Sequence, residues 1–263
     1  MPTSETKTQM LQNLTKRERQ VLDLLVEDEG ISVTELGKRL DVSAVTIRST
    51  LNALSDKGVI VRTWGGASPA FHPEILERQR ANQDVKVRIA AAAAEMVRDG
   101  DAIMIEAGTT TSLIGRHLFG RRDVHVVTNS MLFVPYGRSN PALALTVVGG
   151  SFQAVTESLV GPIALRELEQ FHARLAFVGT DGFSIEHGAT THLVEGAEIV
   201  RRMAARAEQT VMLADSSKYG RVGFARVLDL REVSLVISDE GLPESAREEL
   251  DEAGVDLRLV PLK

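Results

Sequence analysis

The chain has no cysteine in its 263 residues, which excludes a disulfide framework and any thiolate metal site and fits a reducing, cytoplasmic setting. It is poor in aromatic side chains, with one Trp, two Tyr and eight Phe, so its core is expected to be aliphatic. No apolar run approaches the roughly 20 residues a membrane helix needs. Met1 to Gln9 is polar and mixed in charge, unlike a signal peptide. Internal repeats and low-complexity segments are also missing. A soluble cytoplasmic protein is expected, long enough for two domains at about 100–200 residues each.

An excess of basic charge is lacking too: the formal net charge is −6. That balance is uneven along the chain. Residues 1–70 hold nine Lys/Arg and nine Asp/Glu, so the acidic excess lies wholly beyond them. Phosphate contacts need local positive charge rather than a basic whole. Lys38, Arg39, Arg48 and Arg62 supply it, behind the acidic cluster Asp23, Glu27, Asp28 and Glu29.

What is present begins with a flexible arm over residues 1–13 and a helix from Thr15 to about Glu27, where Thr15 and Glu18 form a capping-box pattern. From Ile31 to Ala67 the parts of a DNA reader stand in order. Val33, Leu36 and Leu40 mark a short helix, Asp41-Val42 breaks it, and Ser43 restarts a second helix with Ile47, Leu51 and Leu54 on one face. Gly58 ends that helix before the strand Val59-Ile60-Val61-Arg62. This is the pattern of a winged helix-turn-helix over 14–69, with its helix-turn-helix core at 31–50. Ser43, Val45, Thr46, Arg48, Ser49 and Asn52 fall on or beside the outward face of the second helix and Arg62 on the wing. Arg suits guanine and Asn suits adenine. Trp64 reads equally as a wing residue near phosphates or as a lid on the small domain's core.

Ser68-Pro69 and His72-Pro73 mark a joint, and residues 70–99 are expected to form a linker and connecting helix, helix-prone from Pro73 to Val97. Over 100–263, aliphatic runs alternate with helix patterns. Strands are expected at 102–105, 124–128, 144–148, 175–178, 211–214, 235–238 and 257–260, with helices starting near Thr111, Ser130, Pro162, Glu195 and Pro243. That alternation predicts an α/β fold with a largely parallel sheet covered on both faces. Ligands of such sheets bind past the carboxyl ends of the strands.

Those ends carry the chemistry. Gly108-Thr109-Thr110-Thr111 follows a strand and opens a helix, as an anion cradle or as a plain helix cap. Thr128-Asn129 and Gly149-Gly150 repeat the logic at two more strand ends. Glu106 and Asp181 can accept from sugar hydroxyls and Lys218 can neutralise a phosphate, although Asp181 in Gly-Thr-Asp-Gly also suits an Asx-turn and Lys218 a solvated lysine. Glu195 and Glu198 stand below these. His187 and His192 flank a stretch from Ile185 to Val194 that reads better as a polar loop than as a metal site.

The sequence is similar to the DeoR family of bacterial regulators. In the reader the resemblance is carried by Val42-Ser43-Ala44-Val45-Thr46-Ile47-Arg48, then Leu51, Leu54, Gly58 and Arg62-Thr63-Trp64-Gly65-Gly66-Ala67. Beyond it, Gly108-Thr109-Thr110, Thr128-Asn129-Ser130, Gly149-Gly150, Val178-Gly179-Thr180-Asp181-Gly182 and Ala214-Asp215-Ser216-Ser217-Lys218-Tyr219-Gly220 extend it. It covers about residues 14 to 260. The resemblance implies a sugar-catabolism regulator, usually a repressor, relieved by a phosphorylated sugar. The chain departs from the family's pattern in two places. Ser49-Thr50 replaces a basic residue and Asp after Arg48, and Glu106-Ala107 replaces Asp-Ser before Gly108.

The second domain is also similar to the ribose-5-phosphate isomerase and CoA-transferase-like fold. That likeness opens an enzyme alternative, a sugar-phosphate isomerase with a fused reader using Glu106 or Asp181 as base and Lys218 as polariser. A fused reader argues for a regulator without catalytic residues, metal or cofactor. Its expected partners are a double-stranded DNA operator, a phosphorylated sugar, and further copies of itself as a homodimer or homotetramer.

Overall fold

Thr15 starts the first helix as expected: its hydroxyl accepts from the Glu18 amide at 3.2 Å while the Glu18 carboxylate accepts from the Thr15 amide at 2.7 Å. The computed structural model describes residues 14–28, 30–63 and 66–263. The arm over 1–13, Glu29 and Trp64 lie outside them. Two units divide the chain between Ala81 and Asn82.

In the first unit, α1 (Lys16–Glu27) buries Val21, Leu22 and Leu25 against α2 (Val33–Leu40) and α3 (Ala44–Asp56). Asp41 closes α2 in the left-handed region, at φ 51°, which a short polar side chain tolerates. Ile47, Leu51 and Leu54 are fully buried. Gly58, at φ +65°, lets the Val59 amide reach back to the Leu54 carbonyl at 3.0 Å and its own amide to that of Ser55 at 2.8 Å. This paired closure favours glycine at the left-handed position. The chain then forms β1 (Ile60–Thr63) and β2 (Gly66–Pro69), an antiparallel pair with Thr63 opposite Gly66. Helix α4 (Pro73–Arg80) places Leu76 in the same core.

The single helix-prone run from Pro73 to Val97 is divided. Ala81 is extended and Asn82 left-handed at φ 51°, so α4 packs with the reader and α5 (Gln83–Ala94) with the second unit. No Pro or Gly marks the break. It rests on the tolerance of Asn for this backbone region.

The second unit is built on seven parallel strands: β3 (Ala102–Ile105), β4 (Val124–Thr128), β5 (Leu143–Val147), β8 (Ala173–Val178), β11 (Ala207–Leu213), β13 (Leu235–Asp239) and β14 (Leu257–Val260), in the order β14-β13-β11-β8-β3-β4-β5. Each expected strand is present. Both faces are buried: Ile103, Ile105, Leu175 and Phe177 join one apolar cluster while Met104, Ala176 and Val178 join the other, the period-two split of a covered sheet. Helix α5 and α6 (Val134–Ser139) supply residues near the first cluster. Helices α7 (Pro162–Leu168), α8 (Val194–Ala205) and α9 (Glu244–Glu252) contribute to the second.

Three expectations change. The helix at Thr111 is a 3-10 turn, Thr111–His117, whose Gly115 lies so close to Tyr136 that an added Cβ would come within 2.5 Å of its Cβ. The helix expected near Ser130 begins at Val134. The stretch from Ile185 to Val194 is not a loose loop. It turns from β9 (Gly182–Ser184) into β10 (Gly188–Thr191), a hairpin joined by β12 (Ala225–Leu228) in a small sheet, and its last residue opens α8. A further hairpin, β6 (Ser151–Gln153) with β7 (Ser158–Val160), follows β5.

Candidate DNA interface and effector site

Ser43 caps α3, its hydroxyl accepting from the Thr46 amide at 3.1 Å and lying 2.9 Å from the Thr46 hydroxyl. The cap fixes the first turn, and with Ile47, Leu51 and Leu54 held in the core the opposite face is turned outward. Val45, Arg48, Ser49 and Asn52 are all exposed along it. Thr50 is not: it is buried and its hydroxyl donates to the Thr46 carbonyl at 2.9 Å. Arg62 is exposed on β1. Lys38 and Arg39 lean on acids, Lys38 on Glu35 at 3.9 Å and Arg39 on Glu35 at 3.6 Å. Exposed pairs of this kind are weak and exchange readily with other partners in water.

An ion pair ties the end of α3 to α1. The Lys57 ammonium lies 2.8 Å from both Glu18 carboxylate oxygens. Burial works to raise the Glu18 pKa, but the hydrogen bonds from Lys57 and Thr15 outweigh it and leave the carboxyl below its ordinary value.

In the second unit the motifs converge at the carboxyl ends of the strands, tied to one another. The Glu106 carboxylate, after β3, accepts from the Gly179 amide after β8 at 3.0 Å. Thr128 at the end of β4 donates its hydroxyl to the Ile105 carbonyl at 2.5 Å. The Asn129 side-chain oxygen accepts from the Ala107 amide at 2.9 Å and its amide donates to the Leu159 carbonyl at 3.2 Å. Lys218, after β11, donates to the Thr180 carbonyl. Ser216 in the same loop is held by Asp239 at the end of β13, at 2.7 Å through its amide and 2.8 Å through its hydroxyl.

The sequence-predicted residues divide accordingly. Thr111 is wholly buried and its hydroxyl donates to the Glu106 carbonyl at 2.7 Å, so it shapes the loop from inside. Thr110 is buried as well, whereas Gly108 and Thr109 are half-buried. The Gly149 amide donates to the Glu167 carboxylate of α7 at 2.6 Å, which occupies the place reasoned for a ligand anion. Gly150, at φ +139°, comes so near the Val160 carbonyl that a Cβ would meet its oxygen at 2.5 Å. Asp181 accepts from the Thr191 hydroxyl at 2.8 Å and the His192 amide at 3.1 Å, bracing the β9–β10 hairpin. Glu195 and Glu198 are exposed on α8. Among the described residues no group of three His, Asp or Glu is placed to hold a metal ion.

Two residues went unread in the sequence. Lys86 of α5 is 4 % exposed, and its ammonium lies 3.4 Å from the Thr109 hydroxyl. Its signal was present: it stands at i, i+3, i+4 and i+7 with Ile89, Ala90 and Ala93, a cation on a face that periodicity buries. Asn82 donates to the Asp215 carboxylate at 2.8 Å and the Ser217 hydroxyl at 3.2 Å. Helix α5 therefore touches the loop after β3 through Lys86, and the residue before it touches the loop after β11.

Comparison with known proteins follows these same two parts. Residues 17–70 match the DeoR-like helix-turn-helix domain and residues 81–240 the DeoR C terminal sensor domain. The chain is 34 % identical over 245 residues to the HTH-type transcriptional regulator GlpR of Haloferax volcanii, covering 91 % of this chain and 95 % of that one. It is 31 % identical to the HTH-type transcriptional repressor GlcR of Bacillus subtilis, covering 90 % and 93 %. Among solved structures, ribose 5-phosphate isomerase A of Methanocaldococcus jannaschii matches at TM-score 0.39 and 18 % identity over 53 % of this chain and 55 % of that one. The sorbitol operon regulator SorC of Klebsiella pneumoniae matches at 0.39 and 11 % over 89 % and 99 %. Structural likenesses this low carry no argument about what the chain does.

Proposed function

The chain belongs to the DeoR family of transcriptional regulators, and from that premise we propose that it is a repressor of carbohydrate-metabolism genes, released from its operator by a phosphorylated sugar. Helix α3 would read the operator with Ser43, Val45, Thr46, Arg48, Ser49 and Asn52, and Arg62 would hold the backbone beside it. The effector would lie at the carboxyl ends of β3, β8 and β11.

The observation that carries the effector reading is the convergence of a buried ammonium, Lys86, with the Thr109 hydroxyl on one loop, while Lys218 and Glu106 anchor the two strand ends alongside. A lysine ammonium beside hydroxyl groups suits an anionic, phosphate-bearing ligand. Hydroxyl and carboxylate groups beside it suit the polyol body of a sugar. Gly108, Thr110, Thr111, Thr128, Asn129, Gly149, Gly150 and Asp181 then serve the site mainly by holding its loops. No residue is assigned catalysis. The family and the relatives' names describe regulators.

An even oligomer would set two readers on repeated half-sites. Effector binding shifts operator affinity only through a difference in affinity between two arrangements of the protein. The joint at Ala81-Asn82 is the proposed transmitter. The test is thermal stabilisation of the full chain across a panel of sugar phosphates and the matching free sugars, then operator binding with any hit. Stabilisation confined to phosphorylated compounds, together with weakened operator binding, is expected. An equal response to free sugars would remove the phosphate reading.

A further inference from the structure

Val45 stands apart on the outward stripe of α3. It is a β-branched apolar side chain in the helix's first turn, 72 % exposed and outside the reader's apolar core. An exposed valine alone is ordinary. Its neighbours make this one informative. Val45, Arg48, Ser49 and Asn52 stand at i, i+3, i+4 and i+7 on one exposed face, the face that the second helix of a helix-turn-helix turns into the major groove, led by its N-terminal residues. In that groove the 5-methyl of thymine is the apolar feature that distinguishes the four standard bases. Ser49, short and exposed one turn further on, leaves the neighbourhood of Val45 clear for a base edge.

We infer that Val45 is a specificity-determining residue, packing its two methyl groups on the 5-methyl of one thymine in each operator half-site. The inference rests on the reading of α3 proposed above. It adds an apolar contact to the guanine and adenine preferences of Arg48 and Asn52.

The experiment begins by recovering duplexes bound by the full chain from a random-sequence pool. Each thymine in the recovered site is then replaced singly by deoxyuridine, which removes only the methyl group. The expected result is one position per half-site at which this weakens wild-type binding by about three- to fivefold, the worth of one buried methyl. Val45→Ala should bind the all-thymine duplex more weakly and show no response to deoxyuridine at that position. Its far-UV spectrum and melting point should match the wild type, because Val45 lies outside the core. Two results overturn the inference while leaving the α3 reading intact: recovered sites with no deoxyuridine-sensitive position, or a sensitivity that persists in Val45→Ala. Failure to recover any preferred sequence overturns the α3 reading and this inference with it.

Discussion

The two units handle polar side chains in opposite ways. In the reader, the groups proposed for function stand outside: Val45, Arg48, Ser49, Asn52 and Arg62 are exposed, while the polar groups that hold the unit together, Glu18 foremost, are buried. In the second unit most of the motif residues do both jobs at once. Asn129, Thr128 and Thr111 are buried; the first two tie the end of β4 to that of β3, and Thr111 braces the loop after β3 from inside. The difference matches what the two proposed ligands would demand. A duplex would approach an exposed helix face, so most of its contacts, Ser43 and Thr46 at the helix cap apart, need no part in the fold. A small-molecule effector would be enclosed, and the loops around it would have to be preorganised by the same groups that line them. Substitutions should therefore separate stability from function in the reader and entangle them in the second unit.

The largest effect is expected where the reader's stability is concentrated. Glu18→Ala removes a capping-box partner and the carboxylate facing Lys57 together, and should destabilise the unit by roughly 2–4 kcal/mol in chemical unfolding. Glu18→Gln should recover the part due to the cap. The folded Glu18 carboxyl titrates below its ordinary value. Its contribution is thus fully present above that ordinary value and lost as pH falls through the lowered one. The second unit has its own counterpart. The hydrogen bond and charge of Arg174, with the Arg98 amide, hold Asp101 down against the opposing effect of burial. Acid should weaken both units. Glu18→Gln should flatten the acid limb of the reader alone, and a loss of the limb in both would break the comparison.

Asn129→Ala is the matching test of entanglement. It leaves the buried Ala107 amide and Leu159 carbonyl without their side-chain partner, a loss of about 1–3 kcal/mol, and effector response should fall in the same variant. Arg48→Ala should show the reverse pattern. Operator affinity should drop by roughly 1–3 kcal/mol if Arg48 reads a base, with the melting point unchanged. A destabilised Arg48→Ala, or an Asn129→Ala of wild-type stability, would sink the contrast.

How much was legible in the sequence follows the same divide. Period and punctuation located α1, α3 and all seven sheet strands, because Ile47-Leu51-Leu54 and the aliphatic runs obey patterns set by local geometry. Gly58 announced the end of α3 for the same reason. The break at Ala81-Asn82 carried no such punctuation, and the hairpin at β9–β10 carried only its glycines, of which Gly188 turns at φ +69°. Asn82 enters the left-handed region without being Gly, and the hairpin is fixed by Thr180, whose hydroxyl lies 2.7 and 2.8 Å from the Gly182 and Thr190 carbonyls and accepts from the Thr190 amide at 3.2 Å. Site residues divided likewise. Exposed reader positions follow from helical phase, whereas the partners of Gly149 and Lys86, Glu167 and Thr109, are brought close by tertiary packing over separations that no motif spans. Lys86 stood on a face that periodicity already buried, so an out-of-pattern charge was the one local trace of the site.

The smallest expected effect tests whether the joint reports on the site. Asn82 combines a left-handed backbone with a side-chain bond to Asp215 and Ser217. Asn82→Ala should lose both the hydrogen bond and the tolerance for that backbone, whereas Asn82→Gly loses the bond but gains conformational ease. The bond contributes about 0.5–1.5 kcal/mol and the left-handed strain in a residue with Cβ costs about 1–2 kcal/mol, so the glycine variant should melt close to wild type and the alanine variant below both. If the Asn82 side chain carries a signal between the β11 loop and the joint, Asn82→Gly should keep effector affinity and operator affinity but lessen the effect of one on the other. Measured coupling equal to wild type in that variant would confine Asn82 to shaping the turn, and the transmitter would have to be sought in the body of α5, beginning with Lys86.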